Sequence, residues 1–309
     1  MNPRAQQKLN KISLTNTNIS RMVFGAWRLA DVPEDANPKS VARKIAIALE
    51  LGITTFDHAD IYGNYQCEKL FGEALVQHGL NRHKMQLVSK CGIKLLSEQR
   101  PAHRIKSYET TRTHIIESVE TSLKNLRTDM LDLLLIHRPD PLMDPEDINE
   151  AFNLLHAQGK VKAFGVSNFT PSQVAMLQSK LTLPLVSNQI EFSLLNTSAM
   201  HNGQLDQCIE MDLVPMAWSP LAGGRLFTAA DERSQRVRDC LSSLAHKYDV
   251  PHVETIAYAW LLMHPSHVVP VLGTGNETRL KAALSAFQIS LERDDWFQLL
   301  KASVGHDVP

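Results

Sequence analysis

Along most of this chain, short apolar runs alternate with longer stretches in which apolar residues recur every three or four positions. Val41, Ile45, Ala48 and Leu49 share one face at helical spacing, and the pattern stops at Gly52. Residues 53–57 then read as a short buried strand, β-branched and apolar. The unit repeats. A helical face of Leu70, Ala74 and Leu75 precedes a strand over 85–90, and one of Ile115, Val119, Leu123 and Leu126 precedes a strand over 131–137. Ile148, Phe152 and Leu155 form a further face ending near Gly159, ahead of a strand over 161–167. Pro171 stands where a first-turn proline starts the next helix. Strands over 185–189, 214–218 and 268–272, with one over 22–25 near the start, bring the total to eight.

Eight alternating β/α units without a run of hairpins predict a parallel sheet, and eight parallel strands close naturally. The fold class is therefore α/β, a (β/α)8 TIM-type barrel with outer helices, read as a single domain over residues 1–309. A doubly wound open sheet is the alternative, disfavoured because no strand leads into a G-x-G-x-x-G turn. Two connections exceed the barrel minimum: residues 93–110 after the third strand, and residues 219–233, containing Gly223-Gly224, after the seventh. Function in barrels concentrates in loops of this kind.

Composition narrows the classes. The chain has 309 residues, 43% hydrophobic and 21% charged, with a net charge of −1. That is ordinary globular composition, with no bulk electrostatic case for nucleic acid or an anionic membrane as partner. Residues 1–20 are polar and lack the apolar core of a signal peptide, and no apolar run approaches the roughly 20 residues that span a bilayer. Cys67, Cys91, Cys208 and Cys240 form no C-x-x-C pair, which predicts reduced thiols and no zinc site. A cytoplasmic protein without a metal is expected. The sequence indicates no oligomeric state.

Four predicted strands end in polar residues able to do chemistry: Asp57 with Tyr62 just beyond, Ser89-Lys90, His137-Arg138 and Ser167-Asn168. Singly, each has a bland reading as a cap, a solvated charge or a packed histidine. In a barrel all four ends open on one mouth, so the groups are expected to converge. His58-x-Asp60 has no second cluster at ligand spacing, so His58 is read as lining the site or supporting Asp57, not as a metal ligand. Cys91 is read as a small packed hydrophobe and not a reactive thiol. Trp27 and Tyr65 lie near the mouth. Arg138 has two readings, a phosphate contact or an anchor for the Pro139-Asp140-Pro141 turn.

Phe56-Asp57-His58-Ala59-Asp60-Ile61-Tyr62-Gly63 resembles the D-T-A-x-x-Y-G segment of the aldo-keto reductase superfamily. Residues 87–90 resemble its lysine strand, residues 133–137 its histidine strand, and Gly165-Val166-Ser167-Asn168-Phe169 its G-x-S-N-F segment. Asn188-Gln189 and Ala217-Trp218-Ser219-Pro220-Leu221 are similar to two cofactor-contact segments. Within the superfamily, His137-Arg138-Pro139-Asp140 and Asp307-Val308-Pro309 look most like the bacterial YdhF-like branch. The resemblance spans nearly the whole chain.

It implies an NADPH-dependent reduction of small aldehydes or ketones, reversible to alcohol oxidation. Tyr62 would be the acid/base, Lys90 and Asp57 would tune it, and His137 would bind the carbonyl oxygen. The Lys90 ammonium is expected to lower the phenol's pKa toward the working range. Ser167, Asn168 and Gln189 would hold the nicotinamide carboxamide, and Trp218 would stack on the ring. Ser219, Leu221, Gly223, Gly224 and Arg225 would cover the pyrophosphate. Gly273, Thr274 and Arg279 would grip the adenosine end and its 2′-phosphate, favouring NADP(H). Two positions depart from the pattern: Gly273 replaces a common lysine, and Ala282-Ala283 replaces a Glu-Asn pair that contacts adenine. Two rival functions use the same barrel, a Schiff-base lyase with Lys90 as nucleophile and a cofactor-binding regulatory subunit.

Overall fold

The computed structural model describes residues 12–14 and 17–309; most of the polar N-terminal stretch lies outside the described residues. Strands β1 (Ile12–Leu14) and β2 (Thr17–Ile19) pair antiparallel. The barrel begins with β3 (Val23–Gly25), β4 (Thr55–Asp57) and β5 (Gln86–Cys91). The chain then makes a two-stranded excursion, β6 (Ile93–Lys94) against β7 (Ser107–Tyr108), within the long loop after β5. It returns through β8 (Leu133–Ile136), β9 (Phe164–Ser167), β10 (Leu185–Glu191), β11 (Val214–Trp218) and β12 (Val269–Leu272). These eight strands form a closed barrel in chain order, every pair parallel, with β12 closing on β3.

All eight predicted strands are present, several shorter at their N-terminal ends. The two small hairpins were not foreseen, because strands of two or three residues are too short to show a period. Three helices open as their sequences dictate, with a capping side chain followed by proline: Asn37 before Pro38–Glu50, Asp144 before Pro145–Ala157, and Thr170 before Pro171–Gln178. In Pro38–Glu50 the buried face is Val41, Ala42, Ile45 and Ala48, packed against the outer surface of the barrel. Among the described residues, no helix is long and apolar enough to cross a membrane.

Alternation along the strands separates two cores. Val23, Val88, Leu133, Leu135, Met216 and Val269 fill the barrel interior, and Leu14 and Ile19 from the N-terminal hairpin join them. Phe24, Phe56, Leu134, Ile136, Phe164 and Leu272 point outward into the layer shared with the helices. The last inward positions before the mouth are then Asp57, Lys90, His137, Ser167 and Trp218, two residues beyond inward Thr55, Val88, Leu135, Gly165 and Met216. Strand β10 needs a correction to reach the same layer. Its pairing with β9 shifts register between Leu185 and Asn188, so that Val186 and Gln189 both face inward. A bulge re-aims the strand in this way, swapping the facing of every residue after it.

Candidate active site

Lys90 is the hub of the mouth. It is 1% exposed, and its Nζ donates to both oxygens of Asp57 at 2.8 Å, to the His58 carbonyl at 2.8 Å and to the Tyr62 hydroxyl at 2.9 Å. Register explains the encounter. Asp57 pairs with Val88, and Lys90 lies two residues on along the same inward face. Gln189 completes the group, its amide nitrogen donating to Asp57 at 2.9 Å. An isolated buried ammonium would be costly, but this one is paired and its acceptors are satisfied. Burial opposes its charge, yet Asp57 and Tyr62 outweigh that effect and hold Lys90 above the usual lysine value.

The Tyr62 oxygen accepts from Lys90, which leaves the phenolic hydrogen free for another acceptor. Its pKa differs from expectation. Burial raises it, Lys90 lowers it and Asp57 raises it again, so the phenol ends above its ordinary 10.0. The expected drop toward neutrality fails because burial outweighs the Lys90 field, which Asp57, the partner that keeps Lys90 charged, further offsets.

His137 follows β8, and its ring stands edge-on to Tyr62 with centroids 6.0 Å apart. Burial, then Lys90 and Arg138, push its pKa well below the usual histidine value, so the ring is neutral. Nδ1 is enclosed without a partner, leaving Nε2 as the reachable nitrogen. Ser167, Asn168 and Trp218 form a second chain. The Trp218 indole donates to the Asn168 side-chain oxygen at 2.8 Å, and the Asn168 amide donates to Ser167 Oγ at 2.8 Å and to the His137 carbonyl at 3.4 Å. Asn168 takes a left-handed φ of 62°, which asparagine tolerates better than most residues.

The loops after β11 and β12 are adjacent at the mouth. Ser219, Ala222, Gly223 and Gly224 all have positive φ, from 49° to 98°, and the Ala222 and Gly224 N–H groups close tight turns onto the Ser219 and Leu221 carbonyls. Nothing lies within 4 Å of where a Cβ on Gly224 or Gly273 would stand, so both backbones face open space. Arg225 follows at the start of Arg225–Thr228, and Arg279 lies exposed in the first turn of Glu277–Ser285. Thr274 Oγ1 accepts from the Asn276 N–H, and Asn276 caps that helix by accepting from the Arg279 N–H. Two guanidinia, a threonine and the open backbone at Gly224 and Gly273 fit a diphosphate-linked dinucleotide better than any uncharged ligand. Ala282 and Ala283 are buried, with the Ala282 carbonyl accepting from Thr255, so these positions serve helix packing and not a surface contact.

Two sequence readings are corrected. The His58 ring does not line the mouth; it packs edge-on against Phe71, at 4.4 Å between centroids, outside the barrel wall, and only its carbonyl reaches Lys90. Among the described residues, Arg138 makes no hydrogen bond that anchors the following turn. Its guanidinium lies 5.8 Å over the Trp218 ring, while Asp140 ties the turn through Thr110 and the Leu142 N–H. Cys91 lies in the outer core, its thiol pushed well above the usual range by burial.

Sequence reasoning missed the support of Tyr62. Gly63, Asn64 and Tyr65 are left-handed in succession, and the Tyr65 hydroxyl accepts from the Leu95 N–H at 2.9 Å with Arg100 over its ring. Only Gly63 gave a hint of that turn. A polar hollow at the opposite end of the barrel, lined by Thr17, Arg82, His83, Asp132 and Lys162, is unrelated to this site. Its charges are spent on one another, with Asp132 binding Arg82 and Lys162 at 3.0 Å each.

Comparison with known proteins agrees with this geometry. The profile of the Aldo/keto reductase family matches residues 21–303. Oxidoreductase YdhF of Escherichia coli (strain K12) is 48% identical over 290 residues, covering 94% of this chain and 95% of that protein. A 6-dehydroglucose reductase of Agrobacterium fabrum (strain C58 / ATCC 33970) is 44% identical, covering 97% of this chain and all of that protein (100%). The crystal structure of the thermostable aldo-keto reductase Tm1743 with the inhibitor epalrestat superposes with a TM-score of 0.80 at 26% identity, covering 95% of this chain and 99% of that one. A match across nearly the whole barrel, including every strand that feeds the mouth, makes this chain an oxidoreductase of the Aldo/keto reductase family.

Proposed function

We propose that the protein reduces aldehydes or ketones to alcohols with NADPH, reversibly, and that Tyr62 gives the proton. The observation that carries this reading is the Tyr62 hydroxyl 2.9 Å from the buried, Asp57-paired ammonium of Lys90. When bound, NADPH supplies the hydride and leaves as NADP⁺, so one hydride and one proton account for each carbonyl reduced. Tyr62 releases its free hydrogen to the carbonyl oxygen, and Lys90 stabilises the phenolate left behind. In oxidation the phenolate takes the proton back. Neutral His137 donates from Nε2 to the same oxygen and fixes the angle of the carbonyl. Ser167, Asn168, Gln189 and Trp218 would orient the nicotinamide, and Ser219, Leu221, Gly223, Gly224, Arg225, Gly273, Thr274 and Arg279 would carry the rest of the cofactor.

A raised phenol pKa suits a donor, because Tyr62 then stays protonated across neutrality. Lys90 suits a Schiff-base nucleophile poorly, since Asp57 holds it charged and an attacking amine must be neutral. The four cysteines are free, as a cytoplasmic setting would keep them. We read the barrel as the single domain of the chain.

The test is NADPH oxidation followed with a carbonyl panel that includes benzaldehyde and, after the relative's name, 6-dehydroglucose. Tyr62→Phe is expected to lower turnover by roughly 10²–10⁴-fold while NADPH affinity stays within a few-fold. Reduction by the parent enzyme should hold flat through neutrality and decline only as Tyr62 ionises at strongly alkaline pH. Tight NADPH binding with no turnover above the Tyr62→Phe background would instead favour a cofactor-binding regulatory subunit.

A further inference from the structure

We infer that Arg138 is a substrate-recognition group, selecting carbonyl compounds that carry an acceptor oxygen, as hydroxyl or carboxylate, on the carbons next to the carbonyl. This rests on the reading of the site as a carbonyl reductase and goes beyond it, to the class of molecule reduced. The geometry is a guanidinium held over the Trp218 ring, with its N–H groups bonded to nothing else among the described residues.

Arg138 follows His137 directly, half-buried at the end of β8. A guanidinium offers five N–H donors. Among the described residues those of Arg138 enter no hydrogen bond and no ion pair. Arg82 and Arg28, by contrast, spend theirs. Arg82 donates to Thr128, Met85, Met130 and Asp132, and Arg28 donates to Gly223. Asp57 and Asp140 are also committed: Asp57 to Lys90 and Gln189, Asp140 to Thr110 and the Leu142 N–H.

Yet Arg138 is not loose. Its guanidinium lies 5.8 Å over Trp218, and the indole is itself tied to Asn168, which bonds Ser167 and the His137 carbonyl. Pro139 restricts its backbone to extended conformations. The platform thus presents fixed, unspent donors near enough for their charge to act on His137, the group that would meet the carbonyl oxygen. A cofactor phosphate is the rival occupant, because Trp218 closes β11 just before Ser219, and the NADPH-affinity measurement below separates the two. What sits next to His137 is the substrate carbon chain. A planar fork pairs with two oxygens at once, either both oxygens of a carboxylate or neighbouring hydroxyls. A site with donors waiting discriminates strongly against an analogue lacking the acceptor, because those donors are then left desolvated and unpaired.

The experiment compares kcat/KM with NADPH for D-glyceraldehyde, glyoxylate and propanal, which carry hydroxyls, a carboxylate and neither. Arg138→Met keeps the stem over Trp218 and removes the donors; Arg138→Gln keeps amide donors without charge. With Arg138→Met, the preference over propanal is expected to fall by about tenfold or more for glyceraldehyde, glyoxylate or both. Arg138→Gln sorts the source: it retains preference for a hydroxylated substrate and loses it for a carboxylated one. It also carries the comparison if the methionine variant does not fold. Preferences changed by less than about threefold for both substrates overturn the inference, as does a loss of NADPH affinity matching the loss of kcat/KM. A parent enzyme inert toward all three, and toward the wider panel, above the Tyr62→Phe control sinks the underlying reading instead, and this one with it.

Discussion

At the scale of single residues, burial governs the chemistry of this mouth more than proximity does. Tyr62 and His137 both lie close to the Lys90 ammonium, and each responds first to the loss of water. His58 shows the same effect where no catalysis is involved. Its ring is fully enclosed against Phe71, neither ring nitrogen has a partner, and burial followed by the Lys90 charge lowers its pKa to about 3. The linkage sign is then set. Below the ordinary histidine value of 6.5 the unfolded chain takes up a proton that the folded chain refuses until about pH 3. Stability from this residue is complete above pH 6.5 and drains away as pH falls through that window. The loss is roughly 5 kcal/mol at the acid end. His58→Leu should flatten the decline in urea-unfolding free energy between pH 7 and pH 4 relative to the parent. Equal declines in both proteins would show that the ring charges at little cost.

Between elements, the closest constraint lies where two outer helices meet. Gly72, on the helix Cys67–Gln77, faces the C-terminal end of Arg112–Leu126. A Cβ there would stand 2.0 Å from the Asn125 carbonyl oxygen and 2.8 Å from the Leu126 carbonyl carbon. Both are backbone atoms, so no rotamer change relieves the clash. The same helix supplies Glu68, which accepts from Ser89 on the outer face of β5, next to Lys90. Alanine would gain about 1 kcal/mol in helix propensity, but overpacking costs typically 1–3 kcal/mol and more where backbone must shift. Gly72→Ala is therefore expected to lower the urea midpoint with the m-value unchanged. A more stable variant would mean that the helices part freely.

For the whole molecule, barrel closure converts sequence order into a division of labour around one opening. The proposed chemistry comes from the ends of β4, β5 and β8, and the proposed cofactor groove from loops after β11 and β12. Arg279 stands at the far end of that groove, exposed and free of any ion pair among the described residues. Truncating it should weaken NADPH by roughly tenfold, measured by fluorescence titration, and leave NADH nearly unaffected, since only NADPH carries the 2′-phosphate. Equal weakening of both would place the 2′-phosphate elsewhere. The salt dependence of NADPH binding should be local in origin, because a net charge of −1 supplies almost no long-range field.

Much of this was legible without coordinates. Helical and strand periods, caps followed by proline, and polar residues closing apolar runs are local patterns, written within a few residues of chain. They were enough to predict eight parallel strands and the meeting of Asp57, Tyr62, Lys90 and His137. Tertiary structure decided what depends on groups distant in sequence. The bulge that aims Gln189 inward arises from pairing with β9, the displacement of His58 to the outer core from Phe71, and the seat of Arg138 from a ring 80 positions further along the chain. The Tyr62 pKa belongs here too, because it is a balance of burial against two opposed charges. Local patterns specify which way a residue faces; its field, solvation and neighbours exist only once the barrel has closed.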